Sequence, residues 1–208
     1  MMNLNSPASK VGSLIRYSVY LLFYGLILLN IPSFIKCVLC FAILSFYIQR
    51  FNKEKIYFKR TIHSPYLGNY GFLFFMTIFI TISQICIFYL QMKKVIPLSQ
   101  IQTAYQKKES IWLIIAILII LMPTIQIYLT NGFFFNYYFR KQTVSTALLG
   151  IISSGLFYGL LNWNNSLIYL GINSLYGIIY AYSYLHTERI TVPLYFAIIT
   201  NLFMIFTL

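Results

Sequence analysis

The chain contains no aspartate, and its only acids are Glu54, Glu109 and Glu188. Charged residues make up 9% of it and hydrophobic ones 60%. A soluble globular domain carries about 25% charged and roughly 45–50% apolar residues, so a soluble fold is excluded. Histidine is as scarce as acid, at His63 and His186. Zinc is held by clusters of Cys, His and carboxylate ligands. The sequence offers none, so neither a metal nor a cofactor is expected. Cysteine is limited to Cys37, Cys40 and Cys86. The first two form a C-x-x-C, but inside an apolar run. A redox or zinc motif wants a second pair or a nearby histidine, so these two read as small apolar helix residues. No small-residue cleavage motif follows the first hydrophobic run, and no cleavable signal peptide is expected.

What the chain has in excess is hydrocarbon. Mean hydropathy is +0.76. Apolar runs of roughly 18 residues or more recur, each long enough to cross about 30 Å of membrane as a helix. A membrane β-barrel would alternate with period two in short strands, and these runs do not. The fold class is therefore all-α, a polytopic transmembrane helix bundle of about seven helices, with six and eight as the neighbouring readings. The spans fall at 13–31, 34–49, 66–91, from about 111 to 139, 143–161, 166–185 and 191–208. Pro32 marks a hairpin turn, and Pro123 predicts a kink in the fourth span. The polar stretch 95–109 has the make-up of an interfacial amphipathic helix. No linker interrupts the pattern, so 1–208 reads as a single membrane domain.

Fifteen Lys and Arg give a net charge of +12. In a soluble protein this would suggest nucleic acid. Here the cations sit mostly between spans, where they set orientation and meet anionic headgroups. Membrane lipids are thus expected partners and nucleic acid is not. The run RFNKEKIYFKR (50–60) reads as a cytoplasmic loop. With seven crossings, ten basic residues share the side of the N-terminus and five lie opposite. The N-terminus is expected in the cytoplasm. Abundant Ile, Phe, Tyr, Asn and Lys hint at an AT-rich bacterial genome, hence a multi-pass protein of the bacterial plasma membrane.

The last third carries landmarks at fixed spacing: FFFNYYFRKQ (133–142), SSGLFYGLLN (153–162) and LGINSLYGIIYAYSYLHTERITVPLYFAIITN (170–201). Over about 110–208 the chain resembles the CPBP family, which comprises intramembrane CAAX-type proteases and bacteriocin-processing or immunity (Abi) proteins. Members carry E-E-x-x-x-R on one helix, F-x-x-x-H on the next and P-x-x-x-H-x-x-x-N on the last. The resemblance sets Arg140 at the motif arginine, after Phe139, with Lys141 in place of the usual glycine. The two glutamates would stand at 135 and 136, where this chain has Phe135 and Asn136. The second motif would end in histidine at 162, after Tyr158 and Gly159, and the chain has Asn162. In the third, Pro193 and Asn201 are in place, but the histidine position holds Ala197. Gly171, Gly177 and Tyr180 fit the small-residue helix between these motifs.

In the family, the resemblance implies, a glutamate activates water, histidines assist, and the asparagine helps to hold an oxyanion. A general base must accept a proton near working pH. Phe, Asn and Ala cannot, and the three glutamates are expected in loops, so no acid is expected inside a span. The reading is of a catalytically inactive CPBP-type membrane protein, a pseudoenzyme with no catalytic residue. It would act by binding a membrane protein or peptide, as a bacteriocin-immunity protein or a scaffold. Asn136, Asn162 and Asn201 would converge in one pocket, either to bind a chain or to join helices. Arg140 either snorkels to the interface or pairs inward. Gly155 and Gly159 serve close helix packing or a dimer face. Two alternatives stay open: a divergent active protease that processes peptides, and a small transporter component.

Overall fold

The fourth helix organises the bundle. It comprises Ile111–Ile114, a π-helical segment Ile115–Leu121, Met122–Ile127, a second π-helical segment Tyr128–Phe133, and Phe134–Tyr138. In the computed structural model, which describes residues 10–29, 31–57, 70–97, 111–139, 143–163 and 166–206, its span Ala116–Tyr138 is 78% buried. The spans Ser33–Glu54, Tyr70–Met92 and Val144–Leu161 are only 17–28% buried. One helix is thus enclosed while the others surround it and face outward.

Seven helices occur among the described residues, with no strand. They are α1 (Lys10–Ile27), α2 (Ser33–Tyr57), α3 (Tyr70–Met92), α4 (111–138), α5 (Val144–Leu161), α6 (Leu167–Thr187) and α7 (Thr191–Phe206). Four are long and apolar enough to cross a membrane. The 23 residues of Ala116–Tyr138, rising roughly 1.5 Å each, cover about 34 Å. Helices α1, α2, α5, α6 and α7 all touch α4, and α3 packs on α7. Large apolar side chains point away from the bundle, as at Leu22, Phe41, Phe74 and Trp112. That is what lipid-facing surfaces require and what a water-facing surface would not tolerate.

Local chemistry explains the joints. Pro123 stands in the first turn of Met122–Ile127, just after a π-helical segment. It has no N–H to donate, so the expected irregularity takes the form of a change in hydrogen-bond register. Thr143 and Thr146 form a reciprocal capping box that opens α5, satisfying donors no helix can satisfy itself. Ser166 caps α6, accepting from Tyr169 N, and α6 stops at Glu188, a left-handed residue with φ 52°. Gly155 and Gly159 of α5 face α6. A methyl group on Gly155 would lie 2.8 Å from the Ser174 carbonyl oxygen, and one on Gly159 would lie 2.9 Å from that of Leu170. The glycine pair therefore serves packing inside the chain.

Buried aromatics fill the contact between α1, α2 and α4, among them Tyr17, Tyr20, Tyr47, Phe133 and Tyr137. Their hydroxyls are used: Tyr17 donates to the Leu129 carbonyl (3.3 Å) and Tyr47 to that of Tyr20 (2.5 Å). A buried tyrosine needs such a partner. On the far side Gln84 of α3 donates to the Tyr176 hydroxyl of α6 at 2.9 Å. Cys37 and Cys40 are free thiols on α2. His186 packs its ring against Phe72, centroids 4.6 Å apart, and stacks on Tyr182 at 5.8 Å.

Two expectations need correction. The second helix does not end at Gln49. It runs on to Tyr57 and takes in Arg50, Lys53 and Glu54, because Arg, Lys and Glu are good helix formers. Glu54 consequently lies in a helix rather than a loop and is 5% exposed, so one span does contain an acid. The expectations for Arg140, Lys141, His63, Glu109 and most of the polar stretch 95–109 lie outside the described residues.

Candidate functional site

A cavity of about 340 Å³ opens between α1, α4, α5, α6 and α7. Its polar wall is made of amides and hydroxyls. Gln126, buried on α4, donates to the Tyr24 hydroxyl at 2.8 Å and to Asn162 Oδ1 at 3.1 Å. Asn162 Nδ2 returns a bond to Gln126 Oε1 at 3.2 Å and also donates to the Tyr158 carbonyl at 3.0 Å. Asn162 is the C-cap of α5, and its own carbonyl accepts from Asn173 Nδ2 of α6 at 3.2 Å. Asn201 of α7 donates to the Leu118 carbonyl at 3.4 Å. Tyr180 donates to Thr200 Oγ1 at 2.8 Å. Carbonyls near the end of α5 and in the irregular α4 thus meet side-chain donors, as suits an apolar surrounding.

The residues singled out in the sequence divide into two groups. Asn162 and Asn201 line this cavity together. Ala197 is fully buried one helical turn before Asn201, packed with Tyr158, Tyr176 and Tyr180. Phe135 and Asn136 are elsewhere, nine and ten residues beyond Gln126 and so roughly 15 Å further along the helix. Phe135 packs with Ala181 and Tyr184. Asn136 is buried near Glu54, and its amide favours the charged form of that carboxylate. The three asparagines therefore do not converge. The α4 member of the cavity is Gln126.

Glu54 anchors a second polar cluster. Its carboxylate accepts from the Tyr20 hydroxyl at 3.4 Å and from the Tyr137 hydroxyl, and Arg16 acts on it electrostatically. It does not line the amide cavity. Among the described residues no carboxylate or imidazole lines that cavity, and no group of three or more His, Cys, Asp or Glu is fit to hold a metal. Neutral amides offer hydrogen bonds in both directions but no useful basicity.

A bundle of apolar helices with a polar cavity at the meeting of α4, α5 and α7 defines a polytopic membrane protein. Residues 107–203 match the family described as Type II CAAX prenyl endopeptidase Rce1-like. No curated protein and no solved structure matches the chain. The segment 107–203 is thus similar to the CPBP, or CAAX-protease, family.

Proposed function

We propose that this CAAX-protease-type membrane protein binds rather than cuts. The observation that supports this reading is the reciprocal amide pair of Gln126 and Asn162, beside Asn201 in the same cavity. The family cuts with carboxylate and imidazole, and amides here take the places where such groups would have to meet. Geometry favours a register for the family's E-E-x-x-x-R nine residues upstream of the one ending at Arg140. Gln126 and Ile127 then stand at the acids and Asn131 at the arginine, followed by Gly132. In either register the first two positions hold no acid. Asn162 and Ala197 keep the histidine positions, and Asn201 retains the family's asparagine.

The role this supports is contact with a peptide or a membrane protein in the bacterial plasma membrane, as an immunity protein or a scaffold, with the N-terminus in the cytoplasm. Incubating the purified chain with prenylated and leader peptides, read by mass spectrometry, tests it. The proposal expects retention of a peptide without cleavage, with retention weakened in Gln126→Ala. Turnover that Gln126→Ala or Asn162→Ala abolishes would overturn it. Glu54 gives the rival reading, a divergent protease, the one buried acid among the described residues. That acid is engaged by two tyrosines away from the cavity, which favours a structural role. Turnover lost in Glu54→Gln would support the rival.

A further inference from the structure

The hairpin of α1 and α2 brings Arg16, early in α1, beside Arg50 and Lys53, late in α2, around a cleft of about 470 Å³. This cleft is separate from the amide cavity and shares no lining residue with it. Three cations line it against one acid, Glu54. Arg16 interacts with that acid. Arg50 lies over the Phe46 ring, 5.3 Å from its centroid, and both Arg50 and Lys53 are exposed. Two cationic heads thus remain uncompensated by any carboxylate in the cleft. The other wall is hydrocarbon: Ile15 is 56% and Val19 39% exposed, and Phe46 completes it. The cations stand at the end of the span Ser33–Glu54, the level at which long basic side chains reach headgroups.

A soluble anion would have no use for the apolar wall, and an acyl chain alone would have no use for the cations. A ligand with phosphate at one end and hydrocarbon at the other uses both. We propose that this cleft is a binding site for an anionic phospholipid, its phosphate held by Arg50 and Lys53 and its acyl chain laid along Ile15 and Val19. Basic pockets between membrane helices take anionic headgroups for the same electrostatic reason. Retention in such a cleft outlasts that of the annular lipids around it, because the headgroup meets two fixed cations at once.

The test uses the full chain in mild detergent, with native mass spectrometry after addition of equal phosphatidylglycerol and phosphatidylcholine. One phosphatidylglycerol is expected to survive delipidation several-fold more often than phosphatidylcholine. The Arg50→Ala/Lys53→Ala variant should lose that preference, and Lys93→Ala, at a basic residue just past the end of α3 and outside the cleft, should keep it. Unfolding temperatures of the variants establish that each is folded. A second variant, Val19→Glu, keeps the cations but opposes the chain and should also lose the preference. Equal retention of the two lipids, or a preference unchanged in the double variant, overturns the proposal. Displacement of the lipid by millimolar glycerol 3-phosphate also overturns it, because the site would then take free phosphate.

Discussion

Gln126 of α4 and Asn162 of α5 exchange two side-chain hydrogen bonds, at 3.1 and 3.2 Å, across the interior of the bundle. Two amides facing each other in this way close a small ring, and each satisfies the other's donor and acceptor. Polar side chains between membrane helices contribute about 0.6 kcal/mol on average and up to roughly 1.7. The reciprocal geometry places this pair toward the upper end. A double-mutant cycle of Gln126→Ala and Asn162→Ala, read by unfolding in detergent, should return a coupling of about 1 kcal/mol. A coupling near zero would mean that the amides belong to the cavity's ligand rather than to each other.

Much of the bundle was legible. Spans α5, α6 and α7 lie within a residue or two of where the apolar runs place them, because short capped turns at Thr143, Ser166 and Glu188 punctuate them. The end of α2 was not legible. Charge marks RFNKEKIY as a loop, yet a helix continues through charge when its cations project outward and its acid finds tyrosines. The site was half legible. Asn162 and Asn201 follow from motif spacing, whereas Gln126 does not, since spacing alone accepts any register that ends in a polar residue. Packing against α5 is what favours 126 over 136 in the proposed reading. The two π-helical segments of α4 add to the difficulty, because a widened turn shifts which side chains share a face.

Glu54 depends on Tyr137. One carboxylate oxygen accepts from Tyr137 and, at 3.4 Å, from Tyr20, while the other makes no hydrogen bond. Removing the nearer hydroxyl strands a buried acid with one long bond. Tyr137→Phe should cost about 1.5–3 kcal/mol, the range for hydrogen bonds to charged groups. Adding Glu54→Gln to it should recover part of the loss, because the group left behind is then neutral. Unfolding temperatures of the two variants and the double variant check this.

The contact of α5 with α6 admits no side chain at Gly155. A methyl group there would sit 2.8 Å from both the Ser174 carbonyl oxygen and the Ile178 backbone nitrogen. Backbone cannot yield as a flexible side chain does. Gly155→Val should destabilise the bundle by roughly 1–3 kcal/mol, the cost typical of overpacking. Gly171, where nothing lies within 4 Å of an added methyl, should accept Ala with little change. Comparing the two by unfolding separates close packing from a general intolerance of helix glycine substitution.

Placing the family's carboxylate and imidazoles in the cavity tests the proposed register. If Gln126 occupies the place of the catalytic glutamate, then Gln126→Glu combined with Asn162→His and Ala197→His puts a carboxylate and two imidazoles around the cavity that already holds Asn201. General acid–base groups contribute roughly 10²–10⁴-fold each to hydrolysis, so the triple variant should cleave a prenylated peptide measurably where the parent does not. Asn136→Glu in the same histidine background should remain inert, because position 136 lies about 15 Å away along α4, against Glu54 and not against the cavity. Mass spectrometry of the peptide after incubation distinguishes the cases. Cleavage from the position-136 combination, with none from the position-126 one, would return the motif to the register that ends at Arg140.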